Sequence, residues 1–146
     1  MTSGEHRFAL RVYYEDTDAS GVAYHANYLR WFERARTEWL RALGTGQESL
    51  RLDLGIAFTV ANLEIDFRRP ARLDDVLEVV TRIDRLRAAS IEFEQTLGRS
   101  ADGLQLAQAW VRVGCVDAET FRPAPMPEGL IEAMSRWTGT NERANG

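Results

Sequence analysis

Between residues 7 and 14 apolar and polar side chains alternate, with Phe8, Leu10, Val12 and Tyr14 on one face, and a period of two predicts a strand. From 25 to 43 the period lengthens. Tyr28, Phe32, Ala35, Trp39 and Leu43 fall on one stripe while Arg30, Glu33, Arg34, Glu38 and Arg41 lie mostly off it, the pattern of an amphipathic helix stopped at Gly44. At 1.5 Å per residue that helix is roughly 28 Å long, about the width of a small domain. Trp31 misses the stripe and is expected to need another partner, such as a second subunit. Residues 47–54 read as a short helix or irregular segment ended by Gly55.

Four further segments alternate with strand period. The first covers 58–68. The second sets Leu77, Val79, Thr81 and Ile83 against Glu78, Arg82 and Asp84; the third sets Ile91, Phe93 and Leu97 against Glu92, Glu94 and Thr96. The fourth, 104–116, places Ala107, Ala109, Val111, Val113 and Cys115 on one face. Breaks at Pro70, at 88–89 and at Asp102-Gly103 suit turns, the last being a hairpin signal. The prolines between 123 and 127 end the sheet region, 128–137 can form a short terminal helix, and 138–146 read as a disordered tail.

One long helix after a first strand, then four strands on short turns, predicts an α+β domain with one antiparallel sheet and the helix stripe across one face. Alternating βα units are missing, which disfavours a doubly wound parallel fold. No repeat or linker divides residues 1–137, so a single domain is expected.

Composition narrows the chemistry. A net charge of −4 speaks against a broad basic footprint for nucleic acid. All 18 basic residues are arginine, which removes Schiff-base and P-loop lysine chemistry. One cysteine, Cys115, cannot build an intramolecular disulfide framework and sits in an apolar run that predicts a buried thiol. There is no Gly-x-Ser-x-Gly elbow, no zinc-binding His or Cys cluster and no dinucleotide fingerprint, so no metal or cofactor is implied. With no signal segment and no apolar run of about 20 residues, a cytoplasmic protein is the expectation.

The candidate site is the acidic loop before the helix, which carries Asp16, Asp18 and Gly21 into His25. Carboxylates there would stand beside the free N–H groups of a helix start, a combination suited to work on a carbonyl. As residues alone, Asp16 and Asp18 are equally Asx-turn formers and His25 a structural hydrogen-bonding group. Ser20 lies between Asp18 and His25, but closeness in sequence does not make a triad. Asn27 has the residue type of a helix cap, with a contact to the loop as the alternative.

The segment Tyr-Tyr-Glu-Asp-Thr-Asp-Ala-Ser-Gly-Val-Ala-Tyr-His-Ala-Asn-Tyr at residues 13–28 closely resembles the signature of hotdog-fold acyl-CoA thioesterases of the 4-hydroxybenzoyl-CoA type, within them the YbgC-like branch. The resemblance covers about 7–127. It implies a hotdog fold, a five-stranded antiparallel sheet wrapped around a long central helix, and hydrolysis of acyl-CoA to free acid and CoA. It places Tyr14, Asp18 and His25 in the active site, with Asp18 as general base or nucleophile and the His25 backbone N–H polarising the thioester carbonyl. Asp16 would shape the loop, and Tyr14 would either orient Asp18 or serve as a core or interface aromatic. Arg85, Arg87 and Ser90 become candidates for the CoA phosphates, with Arg68 and Arg69 as weaker ones. The family also implies a homodimer or homotetramer, with Trp31 or Trp110 available to an interface. A competing expectation is an acyl-carrier-protein-binding or scaffold role in the Tol-Pal envelope and phospholipid system, hydrolysis being secondary. A hotdog dehydratase is disfavoured because its His and acidic partner sit elsewhere.

Overall fold

The computed structural model describes residues 4–44 and 46–138; beyond Thr138, the tail expected from the sequence lies outside them. Strand β1 (Glu5–Arg11) leads through a short 3-10 turn (Tyr14–Asp16) to helix α1 (His25–Ala42). A brief α2 (Gln47–Ser49) runs into a π-helical turn (Leu50–Leu54) that stops where Gly55 adopts a left-handed conformation, φ 70°. Strands β2 (Ile56–Phe67), β3 (Val76–Leu86), β4 (Ser90–Arg99) and β5 (Gln105–Asp117) follow, and α3 (Glu128–Ser135) ends the description. The sheet order is β1-β3-β4-β5-β2 with every neighbouring pair antiparallel, so β1 and β2 are the edges. This is the α+β hotdog arrangement that the sequence led us to expect.

Strands β3, β4 and β5 alternate as their sequences do, and their inward columns meet α1. Leu77, Val79, Ile91, Phe93, Leu97, Ala107, Ala109 and Val111 are buried beneath Tyr28, Phe32, Ala35 and Trp39 of the helix. Full burial of a large apolar side chain is worth roughly 2–3 kcal/mol, so this layer dominates the fold's stability. Trp31 joins it, only 2% exposed with its ring 5.2 Å from that of Tyr28. It therefore needs no second subunit: three residues after Tyr28, it lies on the same broad face of α1. Trp110 lies on the sheet's outer face and stays partly exposed, at 38%.

Two polar residues break the inward columns. Thr81 and Gln95 are fully buried, and the Gln95 amide donates to the Thr81 hydroxyl and to the Phe32 carbonyl, each at 3.0 Å, so neither is left unsatisfied. In β2 the alternation slips between Val60 and Asn62, where a bulge keeps Phe58 and Val60 on the same face as Leu63, Ile65 and Phe67. At the β4–β5 hairpin, Arg99 and the Leu104 N–H hold the Asp102 carboxyl down to about 2.

The first strand is shorter than its alternation suggests. Backbone bonds pair Val12 with the 74–75 turn, but Asp16 then pulls the chain round, its amide donating to the Tyr13 carbonyl and its carboxylate accepting from the Tyr13 N–H, both at 2.9 Å. Tyr14 therefore leaves the strand face and stands 81% exposed.

One bond ties α1 to the turn before β3: the Tyr28 hydroxyl, 2% exposed as a residue, accepts from the Ala71 N–H at 2.9 Å. Tyr28→Phe leaves that buried amide without an acceptor, and we expect a loss of about 1–3 kcal/mol. Urea unfolding reads this directly; an unchanged midpoint would assign the bond no role.

Candidate active site

The acidic loop folds into a tight turn against the start of α1. The Asp18 N–H donates to Val22 O at 3.0 Å, Gly21 N–H returns to Asp18 O at 3.1 Å, and Thr17 bridges Ala23. Gly21 sits at φ 86°, a left-handed conformation that only glycine adopts without strain. The outer arm of the turn is anchored to the segment before β3, with Ala23 N–H on Ala71 O at 2.8 Å.

Asp16 holds the turn from within. Its carbonyl accepts the Tyr24 N–H at 3.0 Å and the Asn27 side-chain amide at 2.7 Å, a buried double acceptor at the root of the helix. Asn27 is thus the third residue of α1 and grips the loop; it does not cap. The residue at the cap position is Tyr24, which offers no side-chain bond, so the first-turn amides at His25 and Ala26 lack intrahelical partners at the positive end of the dipole and, among the described residues, no side chain caps them.

Asp18 is carried to the surface of the same turn. Its Oδ1 accepts from the Ser20 amide at 2.8 Å and the Ser20 hydroxyl at 2.6 Å, and these bonds, the hydroxyl first, hold its carboxyl below the usual aspartate range. It is therefore an ionised, solvent-reachable carboxylate. Ser20, which spacing alone assigned no part, is its immediate partner; the Asp-x-Ser spacing of an Asx turn was the readable signal. His25 is exposed at the first position of α1, its ring lying 4.7 Å from Phe67 at the end of β2 and 6.2 Å from Tyr28. The fold thus brings Asp18, the open helix amides, His25 and Phe67 to one end of the sheet. Tyr14 stands apart on the neighbouring turn, where it lines a shallow concavity with Arg11, Tyr13, Leu73 and Asp74.

Arg85 near the end of β3, Arg87 in the β3–β4 turn and Ser90 at the start of β4 lie at the other end of the sheet. The Arg87 N–H donates to Ser90 O at 2.9 Å, and its guanidinium lies 4.0 Å from Glu92. At about 3.3 Å per residue, the eleven residues of β3 separate this turn from the Asp18 loop by roughly 30 Å within one chain. Arg68 is engaged on the outer face with Asp66, Gln105 and Gln108. Among the described residues no cluster of His, Cys, Asp and Glu suits a metal, and no helix is long and apolar enough to cross a membrane.

With this geometry in place, comparison with known proteins is decisive. The family model of the thioesterase-like superfamily matches residues 12–134. The chain belongs to that superfamily. It is 49% identical to the acyl-CoA thioesterase YbgC of Haemophilus influenzae over 127 residues, covering 87% of this chain and 92% of that protein. It is 42% identical to the acyl-CoA thioester hydrolase YbgC of Escherichia coli, covering 86% and 92%. Among solved structures, a probable thioesterase from Bartonella henselae superposes with a TM-score of 0.79 at 39% identity, covering 84% of this chain and 99% of that one. The matched region takes in the whole Asp18 turn, α1 and all of the sheet except β1.

The Ser20 bonds give Asp18 a measurable signature. Removing the hydroxyl in Ser20→Ala raises the Asp18 pKa toward the ordinary value, so its carboxylate protonates at higher pH than in the wild type. NMR titration of the aspartate carboxyl carbons would show the shift, and an unmoved titration would discount the hydroxyl bond.

Proposed function

We propose that the chain hydrolyses acyl-CoA thioesters with short aliphatic or aromatic acyl groups, using Asp18 as the catalytic carboxylate. What supports this reading is the turn before α1, which carries an ionised, accessible carboxylate and leads into a helix start without a side-chain cap, in a chain whose curated relatives are named acyl-CoA thioesterases.

The thioester carbonyl would rest against the N-terminus of α1, with the His25 N–H donating to its oxygen. About half a positive charge resides at such a terminus, and one well-placed donor to a developing oxyanion contributes about 3 kcal/mol. Asp18 then takes a proton from the attacking water, or attacks the carbonyl itself to give a mixed anhydride that water opens. Either route consumes one water, breaks the C–S bond and releases acid and CoA thiol. Tyr14, an exposed phenol beside the loop, is assigned to the rim, within reach of substrate or of a second subunit.

The edges of the sheet favour a dimer. Strand β1 is short and charged at Glu5, Arg7 and Arg11, which blunts it, whereas β2 spans 12 residues with Val60, Leu63 and Phe67 exposed. Two copies joined through β2 into one sheet, both helices on the same face, must be related by an axis normal to the sheet, so the strands run antiparallel. The β3–β4 turn of one copy then comes to the same end as the Asp18 loop of the other. This would bring Arg85, Arg87 and Ser90 of the partner subunit within reach of the CoA phosphates. A homodimer follows, and a homotetramer by pairing of dimers. Because acyl-CoA is made and used in the cytoplasm, the same reading places the enzyme there.

Thiol release from a panel of acyl-CoAs tests the proposal. Asp18→Asn should lower kcat by about 10²–10⁴ with the fold intact by circular dichroism. His25→Ala should retain far more activity, because its proposed role belongs to the backbone. Near-normal turnover in Asp18→Asn would remove Asp18 from the mechanism. Hydrolysis of no CoA ester, together with retention on immobilised acyl carrier protein, would turn the reading to a carrier-binding role. Sedimentation of the wild type as a monomer would overturn the shared sheet.

A further inference from the structure

Between α1 and the β2 side of the sheet lies a cavity of about 110 Å³, lined by Trp39, Phe58, Phe93 and Val113 among others. At about 30 Å³ per water-sized group, it holds roughly four. Leu40 and Ile91 extend this apolar wall, and Glu33, Arg36, Thr37 and Thr59 line the rest with polar groups.

Arg36 is partly buried, and burial pushes its pKa down. One of its five N–H groups is spoken for, Nη1 donating to the Gln95 Oε1 at 3.0 Å. Gln95 is itself locked by Thr81 and the Phe32 carbonyl, so Arg36 is fixed in place. Among the described residues its charge enters no ion pair; Glu33, one turn earlier and exposed, acts on it at longer range and also lines the cavity. A partly desolvated cation with spare donors, set beside an aromatic wall, favours a guest that brings an oxygen over a pure hydrocarbon one.

We infer that this cavity receives the far end of the acyl group and that Arg36 makes the enzyme select acyl groups bearing an oxygen there. The inference rests on the thioesterase reading and on the β2-joined dimer proposed with it, and it names the substrate class. Arg36 lies eleven residues beyond His25, about 16 Å along the helix, too far for a short acyl chain held at the Asp18 of the same protomer. Antiparallel joining of two β2 strands removes this difficulty. His25 stacks on Phe67 at one end of β2, and the cavity is walled by Phe58, Thr59 and Val60 at the other. The cavity of one protomer thereby faces the Asp18 of its partner.

The test compares kcat/KM for pentanoyl-, 5-hydroxypentanoyl- and glutaryl-CoA in wild type and Arg36→Met. The expected result is a preference of about tenfold for an oxygenated chain in the wild type that collapses toward unity in Arg36→Met. Being a ratio within each protein, it is insensitive to partial loss of folded enzyme. Preference for glutaryl-CoA marks a carboxylate guest; preference for the hydroxyl marks a neutral one, with Glu33 repelling a second anion. Thr37→Phe, which narrows the same cavity without touching Gln95, should raise KM for all three while sparing acetyl-CoA. Pentanoyl-CoA hydrolysed fastest by the wild type, an oxygen preference that survives Arg36→Met, or unchanged KM values in Thr37→Phe would each overturn the inference. Hydrolysis of none of the thioesters by the wild type would instead overturn the thioesterase reading beneath it.

Discussion

The carbonyl oxygen of Asp16 is the point on which this site depends. A carbonyl has two lone pairs, and here both are used, one by the Tyr24 N–H entering α1 and one by the Asn27 side chain already inside it. The acidic turn and the helix start therefore form a single rigid piece. Because Asn27 is buried, the bond is shielded from competing water, and releasing it would strand a polar amide in the core. The carboxylate of the same residue closes the turn on the other side at Tyr13. Asp16 builds the geometry and leaves Asp18 free to face solvent.

A second constraint crosses the core. Arg36, Gln95 and Thr81 form a hydrogen-bonded thread from helix to sheet, through a layer that is otherwise hydrocarbon. Each link is satisfied, so the thread fixes how α1 sits on β3 and β4 more specifically than apolar packing does, since apolar contact has little directional preference. Tyr28, reaching from the helix to Ala71, does the same at the opposite end of α1. The helix is thus pinned by directional bonds at two places and padded by aromatic rings between them.

Much of this was legible beforehand. The alternating columns located all five strands, and the helical stripe located α1, because burial on one face leaves a period in the sequence. The Asp-x-Asp-x-x-Gly turn was visible as a motif. Other features were not. Asn27 has the composition of a cap, and only the three-dimensional path of the loop shows that a carbonyl eleven residues earlier competes for its amide. Tyr14 continued the strand alternation, which carries no record of the Asp16 bonds that end the strand. Trp31, three residues after Tyr28, lay at the margin of a stripe drawn too narrowly. Gln95 was the one hint available: a polar residue at an inward position between Phe93 and Leu97 announces a buried partner, though not which one.

The bulge at Ala61 has a consequence for assembly. A long, regular edge strand can be joined at several offsets, since sliding by two residues restores both the hydrogen bonds and the facing of the side chains. An irregular step near the middle of β2 breaks that translational equivalence, because the hydrogen-bonding groups on either side of it no longer repeat with a common period. Two copies meeting along this edge would find one alignment in which the irregular steps are placed symmetrically, and the slipped ones would lose part of their ladder. In such a pairing the extra residue would work as a notch that disfavours misaligned pairs.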